Sequence, residues 1–371
     1  MPKKILTIVG TRPNFIKITQ FKKWLDRPDR GITHKIIHTG QHYDDKMSKV
    51  FFQQFNLNPN IWLNIPPATP NTQIANIMLK LEEVFNEEEP DLVIVVGDVN
   101  STLAAAISAK KCGIPMAHLE SGLRSKDLGM PEEHNRMITD SVAQYYFVTE
   151  KSGWDNLIAE GKSPDQMFFV GNTMIDTLVA FGKEIAASPI LEKYKLAEKK
   201  FALMTMHRPA TVDNEDGLLK LLKVIQIITS RTSLIFPMHP RTLKKFKDYQ
   251  LFDQLYNVPN LFLADPMDYF SFQKLIKESK FVITDSGGIQ EETTFRQIPC
   301  LTLRENTERP STVDLGTNTL ISFNLNEIEE YIHQIENGSY KQGVIPPKWD
   351  GQATKRISNM ICTEILKPIL V

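Results

Sequence analysis

Hydrophobic positions fall into short, nearly unbroken runs separated by polar loops and helix-period stretches. Ile5–Val9 is the first run, β-branched and almost wholly apolar. A run without alternation suits a parallel strand covered on both faces. The loop Gly10-Thr11-Arg12-Pro13-Asn14 then leads into a helix-like segment, Phe15–Leu25. The order repeats. Lys35–His38 reads as a strand, followed by Thr39-Gly40-Gln41-His42 and a helical stretch. Asp91–Gly97 is a strong strand, followed by Asp98-Val99-Asn100-Ser101 and the Ala-rich helix Thr102–Lys111. Pro115–Leu119, Gln144–Thr149 and Met167–Val170 complete the set.

After a helix-rich stretch near residues 173–200 the pattern restarts. Phe201–Met206 reads as a strand, Gly217–Thr229 as a helix, and Leu234–Pro237, Asn260–Leu263, Phe281–Thr284 and Cys300–Leu303 as strands. Lys341–Gly351 looks like a connector, and a last helix runs from Ala353 to about Leu366. Strand–loop–helix alternation implies parallel sheets with right-handed crossovers. The expected fold class is therefore α/β, with two doubly wound, Rossmann-like domains. A ligand is expected at the carboxyl ends of the strands, in the cleft between them.

Composition narrows the function. The 371 residues suit two domains, and 42% hydrophobic with 23% charged residues is ordinary for a globular protein. Basic and acidic residues number 43 and 44, for a net charge of −1, so a nucleic-acid partner is not indicated. The three cysteines, Cys112, Cys300 and Cys362, are scattered and support neither a disulfide framework nor a zinc knuckle. The apolar run after Lys4 is too short for a signal-peptide core or a membrane span, and a cytoplasmic location is expected.

Chemistry concentrates in the loops that follow strands. Asp285-Ser286-Gly287-Gly288 lies between a strand and a helix start, where free N–H groups and the helix dipole favour a phosphate. Glu292, about one turn in, is placed to accept two ribose hydroxyls; the plainer alternative is a tight turn capped by Ser286 or Asp285. Arg12 and Lys17 stand at the first strand–helix junction, as phosphate clamps or as solvated surface cations. Asp98, Glu120 and Glu132 are three carboxylates in or after such loops. Clustered carboxylates suit acid/base work, and salt bridges to Arg124 and Arg136 are the alternative. His207, His239 and His42 each follow a strand. There is no Gly-rich dinucleotide fingerprint, no Walker A sequence and no metal-ligand histidine spacing, so neither a redox cofactor nor a metal is expected.

Nine segments taken together resemble the non-hydrolysing UDP-N-acetylglucosamine 2-epimerase family: GTRPNFIK, HTGQH, GDVNST, HLESGLRS, MPEEHNR, VGNTMIDT, MHRPATVDN, DSGGIQEE and RENTERP. The resemblance implies a GT-B fold whose terminal helix returns to the first domain. It places that domain at residues 1–173 plus 353–371 and a UDP-binding domain at residues 174–352. It makes Asp98, Glu120, Glu132 and His207 catalytic. Arg12, Lys17, Phe272, Ser286, Gly287, Gly288, Glu292 and Arg309 become substrate-binding, with Phe272 beside the uracil. Gln41, His42 and Arg208 become regulatory. A homodimer acting on a UDP-sugar without cofactor is implied, by elimination of UDP to a 2-acetamidoglucal and re-addition. The chain departs from the family pattern at Asn14, at Pro209-Ala210-Thr211 and at Ser311, and His239-Pro240-Arg241-Thr242 is closer to epimerases of diacetamido uronic acids. The alternatives are that substrate, a hydrolysing 2-epimerase, a GT-B glycosyltransferase and a nucleotide-sugar binding module.

Overall fold

A computed structural model describes residues 2–40 and 52–366. The chain divides into two compact units, Met1–Ala180 with Pro347–Val371, and Phe181–Pro346. The first division falls after the helix Thr173–Ala180 rather than at 173, because that helix is tied to the first unit. The Thr177 hydroxyl donates to the Ile16 carbonyl and lies 2.6 Å from Thr19 Oγ1. Asp176 accepts from the backbone N–H groups of Ala353 (3.0 Å) and Thr354 (2.6 Å), which pins the terminal helix to the same unit. The second division comes before 352, because the buried Trp349 donates its indole N–H to the Thr149 carbonyl at 3.1 Å.

Among the described residues the first unit holds a seven-stranded parallel sheet. Its strands are Lys3–Val9 (β1), Ile32–His38 (β2), Ile61–Trp62 (β3), Leu92–Val96 (β4), Met116–Leu119 (β5), Tyr145–Val148 (β6) and Met167–Phe169 (β7). The order is β3-β2-β1-β4-β5-β6-β7. All five residues of β4 are buried, and Val93 and Val95 pack with Ile77, Leu81, Ala105 and Ala109. Each such burial stabilises the unit by about 1.5–3 kcal/mol.

The second unit holds a six-stranded parallel sheet among the described residues: Phe201–Thr205 (β8), Ser233–Pro237 (β9), Leu261–Ala264 (β10), Phe281–Thr284 (β11), Cys300–Leu303 (β12) and Asn318–Ile321 (β13), ordered β10-β9-β8-β11-β12-β13. Strand order reverses between β1 and β4 in the first sheet and between β8 and β11 in the second. In such sheets ligands bind beyond the carboxyl ends of the strands at the reversal. The loops singled out in the sequence follow β1, β2, β4, β5, β8, β9 and β11.

The expected single helix Phe15–Leu25 is two helices, Arg12–Ile18 and Phe21–Leu25. The break falls at Thr19-Gln20, beside the Ile16 carbonyl to which the Thr177 hydroxyl donates. The helical stretch expected after His42 begins outside the described residues.

Candidate active site

In the first unit, the loop after β1 is bound to the end of β4 by one side chain. Asn14 Oδ1 accepts from the N–H groups of Gly10 (3.2 Å) and Thr11 (3.1 Å), while its Nδ2 donates to the Val96 carbonyl at 3.1 Å. Arg12 opens the helix Arg12–Ile18 and is half-buried. Lys17 is not the solvated surface cation that its sequence position allowed. It is 5% exposed and ion-paired with Glu120. Asn14 Nδ2, Lys17 Nζ and Glu120 Oε2 lie 3.3, 3.3 and 3.5 Å from the point a Cβ on Gly97 would occupy. The loops after β1, β4 and β5 therefore meet at one place.

Asp98 follows Gly97 and remains part-exposed. Its Oδ2 is 2.7 Å from Nη2 of Arg136, whose guanidinium is buried and also paired with Glu133. Glu133 in turn accepts from the N–H and hydroxyl of Ser125 (3.0 Å each) and from the Lys126 N–H (2.9 Å). Of the salt bridges weighed from sequence, Arg136 to Asp98 forms, while Arg124 goes to Asp140 and Glu160.

Glu120 has φ +70°, a left-handed conformation that costs a side-chain-bearing residue of order 1–3 kcal/mol. Gly122 has φ +80°, and a Cβ there would lie 2.1 Å from the Gly153 carbonyl oxygen, so only glycine fits. The β5 loop is thus packed closely against the helix Lys151–Ala159 at Gly122, two residues after Glu120. Glu132 stands apart from this grouping. It is exposed in the first turn of the helix Pro131–Val142, and its neighbour Glu133 is the buried one.

In the second unit, β8 and β11 end side by side, with Thr205 Oγ1 2.7 Å from Thr284 Oγ1. Asp285, fully buried, accepts at Oδ2 from the N–H groups of His207 and Arg208, both at 2.8 Å. Its Oδ1 is 2.9 Å from Nδ1 of His207. Burial opposes ionisation of Asp285, but the His207 ring and the two N–H groups outweigh it and hold the carboxyl below its usual range. An imidazole oriented through Nδ1 keeps Nε2 for proton transfer. The His239 ring lies 5.5 Å from that of His207, and its Nδ1 accepts from the Arg241 N–H at 3.2 Å. Burial first, then the neighbouring His207 and Arg241, lowers the pKa of His239.

The helix Gly287–Arg296 begins just past Asp285, with Ser286 extended at its cap position. Neither side chain is the plain cap that the sequence allowed. Ser286 makes no capping bond with its side chain, and Asp285 turns to the β8 loop. A Cβ on Gly287 would meet Glu308 Oε1 at 2.7 Å and Arg309 Nη1 at 2.9 Å, so these groups lie against the helix start. Arg309 pairs with Glu308 and, through Nε, with Glu291 Oε2 at 2.9 Å; Arg304 Nη2 reaches Glu308 Oε2 at 3.0 Å. Gly288 lies within the first turn, Glu292 is buried one turn further in, and Phe272 packs part-buried against the apolar cluster that includes Leu275 and Ile289. A helix N-terminus favours an anion through its free N–H groups and dipole, and Arg309, already paired with Glu308 and Glu291, lies against it.

Asp285, Glu308, Arg304 and Glu133 were not singled out from sequence as site residues. The signal for Asp285 was present, as a carboxylate directly after an apolar strand. Gln41 and His42 lie outside the described residues. Among the described residues no helix is long and apolar enough to cross a membrane.

Two Rossmann-like parallel-sheet units, with carboxylates in the strand-end loops of the first and a helix start directly after β11 in the second, have the GT-B architecture. The family profile for UDP-N-acetylglucosamine 2-epimerase matches residues 26–362. A UDP-N-acetylglucosamine 2-epimerase of Methanocaldococcus jannaschii is 36% identical over 96% of this chain and 98% of its own. A crystal structure of the Methanocaldococcus jannaschii UDP-GlcNAc 2-epimerase, in complex with UDP-GlcNAc and UDP, superimposes with a TM-score of 0.86 at 36% identity, covering 96% of this chain and 99% of that one. A UDP-2,3-diacetamido-2,3-dideoxy-D-glucuronate 2-epimerase of Pseudomonas aeruginosa is 35% identical over 86% of this chain and 88% of its own. With the profile covering most of its length, the chain belongs to the UDP-N-acetylglucosamine 2-epimerase family, whose members so named are isomerases.

Proposed function

We propose that the protein interconverts UDP-N-acetylglucosamine and UDP-N-acetylmannosamine by eliminating and re-adding UDP. C2 of the sugar is not beside a carbonyl, so its proton is too weakly acidic to be removed directly. As the C1–O bond breaks, its electrons go to the diphosphate oxygen and positive charge develops at C1. A carboxylate then takes the C2 proton, and the C–H electrons form the C1=C2 bond of a 2-acetamidoglucal. Protonation of C2 on the opposite face and attack of the UDP oxygen on C1 give the epimer.

The observation that carries this reading is the pair of carboxylates at the ends of adjacent strands, Asp98 after β4 and Glu120 after β5, each backed by a buried cation, Arg136 and Lys17. In this reading they serve the two faces of C2, assisted by Glu132. His207, held by Asp285, moves protons on the diphosphate side. Ser286, Gly287, Gly288 and Arg309 hold the diphosphate with Arg12, Glu292 holds the ribose, and Phe272 borders the uracil. UDP-GlcNAc acting through Gln41, His42 and Arg208 would regulate the enzyme. We assign the first unit, residues 1–180 with 347–371, the acid/base role and the second, residues 181–346, the nucleotide, in a cytoplasmic homodimer that needs no redox cofactor. Incubation with UDP-GlcNAc should yield UDP-ManNAc with UDP retained; release of free UDP and sugar would instead mark a hydrolase. The Pseudomonas relative supports a second reading, the same chemistry on a UDP-diacetamido uronic acid. Comparing kcat/KM on the two substrates separates them.

A further inference from the structure

His118, inside β5, is fully buried. Its ring is nevertheless fastened at both nitrogens. Nδ1 is 2.6 Å from Oδ1 of Asp140, and Nε2 is 2.7 Å from the Gly97 carbonyl oxygen. Both partners are oxygens of groups held in place by the fold, so the ring is fixed between them. Asp140 is also fully buried. Its second oxygen accepts from the Gly122 N–H at 3.0 Å and lies 2.7 Å from Arg124 Nη1.

The two ends of this chain of bonds lie in the two loops that carry the acid/base carboxylates. Gly97 immediately precedes Asp98. Gly122 follows Glu120 by two residues, in a turn where Glu120 itself is left-handed and Gly122 touches Gly153. A turn that costs conformational energy needs something to hold it, and the Asp140 carboxylate grips it at Gly122. One buried line thus runs from the Asp98 loop through the Gly97 carbonyl, the His118 ring and the Asp140 carboxylate to the Glu120 loop.

We infer that His118 and Asp140 are positioning residues that fix the separation of the Asp98 and Glu120 carboxylates across C2 of the sugar. The inference rests on the proposed epimerase chemistry. It says more than that the pair stabilises the fold. Whether C2 is reprotonated on the face it came from or on the other face depends on how far each carboxylate stands from that carbon. Shifting one loop against the other changes the balance between returning to substrate and going on to product.

The test is made in heavy water on the full chain, with His118→Gln and Asp140→Asn. The quantity read is deuterium at C2 of recovered UDP-GlcNAc relative to deuterium at C2 of newly formed UDP-ManNAc, at low conversion. That ratio does not depend on how much enzyme is folded, so a variant that merely loses stability leaves it unchanged. The expected result is a change of about threefold or more in both variants, with UDP affinity within about twofold of the parent. A ratio equal to the parent's in both variants, whatever the loss of total activity, overturns the inference. A parent protein that makes no deuterated product would instead remove the epimerase reading beneath it. If one variant fails to fold, the ratio from the other decides.

Discussion

Nη2 of Arg136 lies 2.7 Å from Oδ2 of Asp98, and this contact ties a helix core residue to a strand-end carboxylate that solvent still reaches. The arginine is anchored from behind by Glu133, so the charge facing Asp98 is fixed rather than mobile. Asp98→Asn is therefore expected to keep the shape of the loop while removing proton transfer. Turnover should fall by about 10²–10⁴-fold with UDP affinity nearly unchanged, checked by steady-state kinetics and calorimetry. Glu120→Gln should behave alike. Glu132→Gln, exposed and on a helix start, should lose less than either. If it proves the most damaging of the three, the assignment of roles to the strand ends is wrong.

Arg309 is part of a network that a lysine cannot rebuild, since its guanidinium reaches Glu291 and Glu308 at once. Arg309→Lys and Glu292→Gln should each weaken UDP binding about tenfold or more, read by calorimetry with UDP alone. Unchanged affinity in both would remove them from the nucleotide site.

Gly122 can carry no side chain, because a Cβ would sit 2.1 Å from the Gly153 carbonyl. Gly122→Ala should destabilise the protein by at least about 2 kcal/mol, seen as an earlier urea midpoint. An unshifted midpoint would show that the loop relaxes freely.

Asp140 supplies a pH dependence of known sign. Burial alone would raise its pKa, but the His118 ring and the Arg124 guanidinium outweigh burial and hold it below the usual carboxylate range. A folded pKa below the unfolded one gives stability that is complete above the unfolded value, about 3.9, and is lost as pH falls through the folded value. The stability difference between the parent and Asp140→Asn should therefore be largest near neutral pH and shrink in the acid range below about 4, measured by urea unfolding across pH. A difference that grows on acidification would contradict the assignment.

Much of the fold was legible because buried parallel strands announce themselves. Phe281–Thr284 and Cys300–Leu303 appear at the limits read from their apolar runs, and Asp91–Gly97 shortens only to Leu92–Val96. Two strands escaped notice. Ile61–Trp62 is too short to show a period, and Asn318–Ile321 opens with a buried asparagine bonded to Gln290 and Thr312. The site divided in the same way. Carboxylates and glycines in strand-end loops could be found from position alone. The partners that fix them could not, because Arg136, Asp140 and Glu308 reach Asp98, His118 and Arg304 through tertiary packing or across an irregular loop. Lys17 shows the limit most plainly, since one turn into a helix a lysine is ordinarily solvated, and here Glu120 draws it inside.

The central claim is that C2 loses and regains its proton through an eliminated intermediate. Incubation with UDP-GlcNAc in heavy water, followed by NMR of the sugar nucleotides, tests it directly. The account predicts UDP-ManNAc carrying deuterium at C2, with UDP still attached. UDP-ManNAc formed with its original C2 hydrogen would contradict it.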